Sequence, residues 1–368
     1  MQFTIQCEEL SKALNNIKKA LGVVEHVSVV VSEKHVELGA TNKISTCTFH
    51  LVNVQVEATG KFTLPIEQFM GTIKSRKVME FKLTDNSLKF RSTEGRSYNG
   101  DITTIPYEEI AIQLEEANLK IKLDGSKVKK FYELTNRVVL SGAYEDKTPL
   151  PIYLQIKEGG VKAICYDNFH LACVEDRTLH LGMEATVALL PASLATIEAV
   201  SGGSGFNLTL SSSSIYAYNK HFRLVQPLIQ PDSGTEEDKV NNIEEFISDL
   251  MEKEATKAEV SKEDFDTIFG NAITFYSQGI PIEMVVSDGS VSLRVTSSYG
   301  KVLEKISATN VVEPSKTIFK CEMSILGELL LKLGSIKTLP LSYVEDTCMY
   351  IHWEDDNNLH FYSSGLLV

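Results

Sequence analysis

The chain has 368 residues, too many for one ordinary core and enough for two or three domains of about 100–150 residues each. A net charge of −13 with 43% hydrophobic and 23% charged residues describes a soluble globular protein and argues against gripping nucleic acid by bulk attraction. No apolar run reaches the roughly 18–20 residues of a membrane span, and the opening MQFTIQCEEL lacks a signal-peptide pattern.

In chain order, the first element is a short β-rich segment running into an amphipathic helix, FTIQCEELSKALNNIKKAL from Phe3. Its apolar stripe is Leu10, Ala13, Leu14, Ile17 and Leu21, with Lys12, Asn15, Asn16 and Lys19 on the opposite face. A hairpin follows, VSVVVSEKHVELGATN, with a turn at Glu33-Lys34. A second strand and helix come next, GKFTLPIEQFMGTIKSRK from Gly60, burying Ile66, Phe69, Met70 and Ile73 and leaving Lys74 and Lys77 outward. Pro65 suits a first helical turn, where its missing N–H costs nothing. The hairpin MEFKLTDNSLKFRS closes the set.

The same plan then repeats. LKIKLDGSKVKKFYELTNRVV from Leu119 packs Val128, Phe131, Thr135 and Val138, with Lys127, Lys130 and Arg137 on the polar side. After it come the hairpin PIYLQIKEGGVKAICYDN, the unit ATVALLPASLATIEAVSGG with Pro191, and FNLTLSSSSIYAYN. A third copy starts with AEVSKEDFDTIFGNAITFY from Ala258, where Ser261 is the expected N-cap and Glu263 and Asp264 complement the helix dipole. PIEMVVSDGSVSLRVTSS, KTIFKCEMSILGELLLKLGS and LPLSYVEDTCMYIHW complete it, with Met323, Leu326, Leu330 and Leu333 packed and Lys332 exposed. Six strand–helix–strands units in three pairs point to an architectural protein rather than one catalytic cleft. The fold class is α+β, three tandem copies of one domain. Boundaries are expected at 1–117, 118–232 and 258–368, with an acidic linker or insertion at 233–257.

That acidic stretch carries ten acidic and three basic residues between Asp232 and Glu259, which alone supplies −7 of the −13. Ile243, Phe246, Ile247 and Leu250 recur in it at helical spacing, so part linker and part short helix is expected. Six cysteines without CxxC spacing (Cys7, Cys47, Cys165, Cys173, Cys321, Cys348) suit buried reduced thiols and a cytoplasmic location.

Taken together, MQFTIQCEELSKAL, TGKFTLPIEQFMGTI, YDNFHLACVE, Pro231-Asp232 and the apolar tail Leu366-Leu367-Val368 resemble the β-type sliding clamp of bacterial replicative DNA polymerase. The similarity runs through the whole chain. Phe169-His170 stands where the family has His-Arg, Gly365 replaces a tail proline, and the acidic insertion is longer than usual. A divergent member, of the kind a phage would encode with its own polymerase, fits these departures.

The resemblance implies a homodimer of three-domain chains closing a ring around double-stranded DNA, with helices lining the hole and antiparallel sheets outside. A topological link confers processivity without tight binding, so weak, sequence-blind phosphate contacts suffice. The DNA-facing candidates are Lys12, Lys19, Lys74, Lys77, Lys127, Lys130, Arg137 and Lys332. The resemblance also implies a hydrophobic pocket between domains two and three that takes peptide motifs of the replicative polymerase and the clamp loader. Its candidates are Leu150, Tyr166, His170, Leu171, Pro231, Leu366, Leu367 and Val368. The alternative from another class is an acidic protein–protein adaptor that keeps the fold without encircling DNA.

No catalytic constellation is present: GxxxxGK[ST], HExxH and GxSxG are all missing. The Gly202–Gly205 run follows a helix and reads as its stop. The eight histidines contain no ligand pair at i, i+4, so neither a metal nor a cofactor is expected. His352-Trp353 is read as a strand packing pair, Asp355–Asn358 as a hairpin turn and Ser211–Ser214 as a turn between strands.

Overall fold

The computed structural model describes residues 1–94, 97–112, 116–140, 150–168, 170–228, 235–275, 282–312, 317–321, 333, 336–345, 347–355 and 357–365, of which 317–321, 364 and 365 are described by backbone alone. The first third runs β1 Gln2–Gln6, α1 Cys7–Leu21, β2 His26–Val31, β3 Val36–Thr41, β4 Thr46–Leu51, β5 Val54–Ala58, β6 Gly60–Pro65, α2 Ile66–Ile73, β7 Val78–Thr84, β8 Ser87–Ser92 and β9 Asn99–Thr103. The middle third is β10 Leu119–Leu123, α3 Gly125–Val138, β11 Ile152–Lys157, β12 Gly160–Tyr166, β13 His170–Asp176, β14 Ala185–Leu189, α4 Pro191–Ser201, β15 Phe206–Leu210, β16 Ser214–Tyr218 and β17 Phe222–Pro227. Then come α5 Glu236–Glu252, β18 Thr256–Ser261, α6 Lys262–Ile273, β19 Ile282–Ser287, β20 Ser290–Ser297, β21 Gly300–Val312, β22 Thr317–Cys321, β23 Thr338–Val344, β24 Cys348–Glu354 and β25 Asn358–Gly365.

Strand pairing shows how the repeat is built. Each strand–helix–strands unit donates its first strand not to its own meander but to that of its sister unit. Thus β1 pairs with β7 and β6 with β2, β10 with β15 and β14 with β11, β18 with β23 and β22 with β19, all antiparallel. The result is the same four-stranded set six times: β1-β7-β8-β9, β6-β2-β3-β4, β10-β15-β16-β17, β14-β11-β12-β13, β18-β23-β24-β25 and β22-β19-β20-β21. This interlocking is long-range and leaves no trace in local periodicity, which is why the sequence shows the units but not their exchange.

Chain contacts divide the molecule into two compact units, Met1–Lys129 with Ala192–Ile229, and Lys130–Pro191 with Gln230–Val368. In the first, β17 pairs with β4 and fuses two sets into an eight-stranded sheet beside the five-stranded sheet β5-β1-β7-β8-β9. In the second, β25 pairs with β13 inside a twelve-stranded sheet.

The core follows the alternation of the strands and the stripes of the helices. In α1 the buried residues are the expected Leu10, Ala13, Leu14, Ile17 and Leu21, joined by Cys7 and Ala20. Full burial of each Leu or Ile contributes roughly 1.5–3 kcal/mol. Asn16 departs from expectation: assigned to the polar face, it is buried, and it lines one cleft together with Val200, Ser201 and Gly202. In α2, Ile66, Phe69 and Ile73 are buried as expected, and Pro65 occupies the N-cap. Ser261 caps α6, its hydroxyl accepting from the Asp264 N–H.

The acidic segment is more ordered than its composition suggests. It forms the 17-residue helix α5, opened by a capping box in which Thr235 and Asp238 satisfy each other's backbone N–H. Val240 and Leu250 are buried and Ile243, Phe246 and Ile247 pack against the same cluster, which includes Tyr153, Ile164, Leu171, Cys173 and Phe361. The smaller readings fare as follows. Gly202 and Gly203 both take positive φ after α4. Asp355 Oδ1 accepts the Asn357 and Asn358 N–H groups at 2.8 Å, which makes the hairpin turn. Trp353 stacks on His360, with centroids 4.2 Å apart, rather than on its neighbour His352. The helix expected after Lys316, with Met323, Leu326 and Leu330, lies outside the described residues, whereas Leu333 is described and buried.

Candidate functional site

The expected cationic residues sit on the helices that follow the first strands. Lys12 and Lys19 are exposed on α1, Lys74 and Lys77 are exposed just after α2, and Lys127, Lys130 and Arg137 are half-buried on α3. Lys332 lies outside the described residues. Among the described residues none of these seven is ion-paired with a carboxylate, whereas Lys18, Arg91, Lys162, Arg177, Lys262 and Arg294 all are. A cation already neutralised by a carboxylate has little left to offer a phosphate, so the unpaired set is the one suited to an anionic polymer. α4 carries no basic residue, and the lysine of α6, Lys262, is held by Asp266 at 2.6 Å.

Three of the predicted cations line clefts, one in the first unit and two in the second. Lys12 lies at a cleft of about 290 Å³ whose wall includes Glu9, Asn16, Phe49, His50, Gly202 and Phe222. A Cβ at Gly202 would come within 3.5 Å of the Lys12 Nζ, which places the ammonium against the C-terminal end of α4, where the helix dipole favours a cation. In the second unit, Lys130 and Arg137 line a polar cleft of about 310 Å³ with Glu133, Asp176, Thr178 and Asn358. Lys130 Nζ donates to Thr178 Oγ1 at 2.7 Å, and Thr178 Oγ1 donates to Asp176 Oδ1 at 2.6 Å. Both clefts lie between the first helix of a pair of units and the strand that makes the seam, β4 or β13.

The fold of this chain matches solved structures along its whole length. A DNA polymerase III β chain from Streptococcus pneumoniae superposes with a TM-score of 0.82 at 15% identity, covering 100% of this chain and 99% of that one. A structure described as a putative DNA polymerase III β subunit from Eubacterium rectale gives 0.80 at 17% identity over 99% and 98% of the two chains. The sliding clamp of Bacillus subtilis gives 0.79 at 14% identity over 100% and 99%. The fold is that of the sliding clamps. No family model and no curated protein matches the sequence. At 14–17% identity the likeness is one of fold, with few side chains in common.

The residues expected to form a peptide pocket are distributed unevenly. Leu171 is fully buried in the cluster beneath α5, and Tyr166 is half-buried against it. His170 is buried at the start of β13, its N–H bonded to Asp167 Oδ1 at 2.7 Å. Leu150 is half-buried before β11. Pro231, Leu366, Leu367 and Val368 lie outside the described residues. The apolar face of α5, with Phe246 and Ile247, stands against the cluster that holds Tyr166 and Leu171.

Sequence reasoning missed one grouping altogether. His35, Glu37 and His50 bring a carboxylate and two imidazoles within 4.8 Å of one another. The signal was present as His-x-Glu at the entry to β3, but recognising its partner required the register that sets Glu37 opposite His50. No helix of the described residues is long and apolar enough to cross a membrane.

Proposed function

We propose that this chain is a DNA polymerase processivity factor without catalytic activity of its own, a ring of two copies that encircles double-stranded DNA and slides without sequence preference. The observation that carries this reading is the end-to-end match to sliding clamps, with TM-scores near 0.8 and essentially complete coverage of both chains. Lys12, Lys19, Lys74, Lys77, Lys127, Lys130, Arg137 and Lys332 make weak phosphate contacts in this reading. Domains at 1–117, 118–232 and 258–368 are the repeating unit, with 233–257 inserted between the last two.

The sheet topology supports closure by a second copy. Within each unit a strand ending one meander, β4 or β13, pairs with a strand ending another, β17 or β25. The third pair in that series is β21 and β9. Residues 300–307 of β21 pair with β20 on one side only, and β9 pairs only with β8, among the described residues. Open strand edges invite pairing, and a head-to-tail contact between β21 of one copy and β9 of the next uses both. The exposed Leu303 of β21, 61% accessible, gains cover in that contact.

The replicative polymerase and a clamp loader are the proposed partners, with docking at Leu150, Tyr166, His170, Leu171, Pro231, Leu366, Leu367 and Val368. Because α5 packs on the cluster containing Tyr166 and Leu171, a partner peptide there meets α5 side chains as part of its wall. In solution the chain is expected at about twice its 40.9 kDa mass. Charge reversal of Lys12, Lys19, Lys127 and Lys130 together should abolish processive synthesis on primed DNA while leaving that mass unchanged. Unchanged processivity would reject the cationic assignment. Equal retention on linear and closed circular DNA would favour the adaptor reading over a threaded ring.

A further inference from the structure

We propose that His35, Glu37 and His50 form a binding site for one zinc-type divalent transition-metal ion on the first β-sheet face, beside the seam between β4 and β17. The placement follows from strand geometry. Side chains two apart on a strand share a face, so His35, immediately before β3, and Glu37, within it, point the same way. Antiparallel register sets His50 of β4 directly opposite Glu37. The ligand atoms of all three lie within 4.8 Å of one another, and the His35 and His50 rings are 5.6 Å apart between centroids.

A second observation points to a ligand. His50 Nε2 is buried and has no hydrogen-bond partner among the described residues, although Glu37 Oε2 is only 3.2 Å away, outside hydrogen-bonding geometry. A buried nitrogen lone pair without a partner carries a desolvation cost that coordination would remove. Burial lowers the His50 pKa; Glu37 opposes that shift, and the charges of Arg223, His35 and His221 add to it.

Two imidazoles and one carboxylate are the donor set that suits zinc with one open position for water. Side-chain exposures of 17% for His50 and 30% for Glu37 leave a path for the ion to enter. Arg223 counts against a cation here, and the Glu37 carboxylate offsets it. The His50 N–H donates to the His221 carbonyl at 2.7 Å, next to the first register pair of the seam, Phe49 with Phe222. Metal at this point ties β3 and β4 to the start of that seam, a structural role distinct from any contact with DNA.

The test uses the full chain purified without a histidine tag, stripped by a chelator and titrated with Zn²⁺ in a calorimeter. One Zn²⁺ per chain is expected, with a melting temperature that rises on zinc addition and falls back with chelator. His50→Gln and His35→Asn should each weaken binding by on the order of tenfold or more. His180→Gln, which removes an exposed histidine far along the chain in the second unit, should leave it unchanged. Co²⁺ on the unmodified chain provides a readout independent of variant folding, with visible bands of a four-coordinate nitrogen and oxygen site. No saturable binding, or affinity unchanged by His50→Gln, would overturn the assignment.

Discussion

The two seams, β17 on β4 and β25 on β13, are the same joint made twice, and they differ in length and in chemistry. The first has four register pairs and sets Phe222 opposite Phe49, with rings 6.3 Å apart. The second has seven and sets Phe361 opposite Cys173, a large residue against a small one. The cleft beside the first is rimmed by His50 and Phe222, that beside the second by Lys130, Arg137 and Asp176. Backbone hydrogen bonding makes the same joint from different side chains because it asks only for strands of matching edge. The side chains at the joint are free to change provided their volumes stay complementary.

The largest expected effect is loss of an aromatic ring at either seam. Phe222 and Phe361 are both essentially inaccessible, at 1% and 0%. Phe222→Ala and Phe361→Ala should each destabilise the unit that contains them by about 3–5 kcal/mol, measured by denaturant unfolding. In the first seam the Phe49 ring can relax toward the void. In the second, Cys173 is too small to fill it and α5 holds the cluster from the other side. Phe361→Ala should therefore be the costlier of the two, and the reverse order would mean that ring-on-ring packing matters more than cover from α5.

Opening of each seam can be timed through its own buried thiol. Cys47 lies opposite Leu224 in the first and Cys173 opposite Phe361 in the second. Burial raises both thiol pKa values, Cys173 to about 12, so neither reacts while its seam is closed. Labelling followed by peptide mass spectrometry should find Cys47 modified faster than Cys173 by tenfold or more, about 1.4 kcal/mol, because the shorter seam opens more easily. Zinc at His50 should slow Cys47 and leave Cys173 untouched. Equal rates would mean that the two joints open together.

What was legible in the sequence was local. The stripe of α1, the proline at the start of α2, the cap of α6 and the hairpin turns all follow from residues within a few positions of one another. The seams were not legible, because nothing near Phe222 says that Phe49 will face it. The same blindness hid the histidine–glutamate cluster, whose members lie 13 to 15 positions apart between His50 and its two partners and meet only through register. It also hid the burial of Asn16, whose neighbours Val200–Gly202 are remote in sequence. For α5 the apolar spacing was legible but the extent of the helix was not: part linker and part short helix was expected, whereas a capping box at Thr235 opens 17 helical residues whose apolar stripe packs on the sheet cluster. Of the residues proposed as cationic contacts, the exposure of Lys12 and Lys19 on α1 was readable from their spacing. The packing of α5 over Tyr166 and Leu171 was not, since it joins residues about 75 positions apart.

The second seam should also respond to acid, through a histidine within the paired strand itself. Burial, reinforced by the positive charge of Arg137 and opposed by Asp355, lowers His360 from 6.5 to about 4. A histidine whose folded pKa is depressed takes up its proton more readily when unfolded. Its contribution is therefore intact above about pH 6.5 and is lost as pH falls from there toward 4. His360→Phe, which keeps a ring to stack on Trp353, should flatten that limb of the stability profile in the second unit. An unchanged limb would assign it to other groups, His352 first among them, since burial lowers its pKa too.

The smallest effect concerns how α5 is held to the second sheet. Lys162 on β12 pairs with Glu244 of α5 and lies 3.9 Å from Glu175 of β13. Burial alone would lower the lysine pKa, but the hydrogen bond to Glu244 and the carboxylate charges outweigh it, so the net shift is upward. A raised lysine pKa contributes stability below its ordinary 10.5 and loses it as pH climbs through the folded value, an alkaline limb opposite in sense to that of His360. With side chains 20% and 30% accessible, the pair is partly hydrated. Lys162→Met, whose unbranched stem preserves the packing, should then cost only about 1 kcal/mol and remove the alkaline limb. Hydrogen exchange should show the loss confined to α5 and its contacts, because the apolar face of Ile243, Phe246, Ile247 and Leu250 continues to hold the helix in place. Detachment of α5 on this one substitution would show instead that charge pairing, and not its apolar stripe, fastens the acidic segment to the fold.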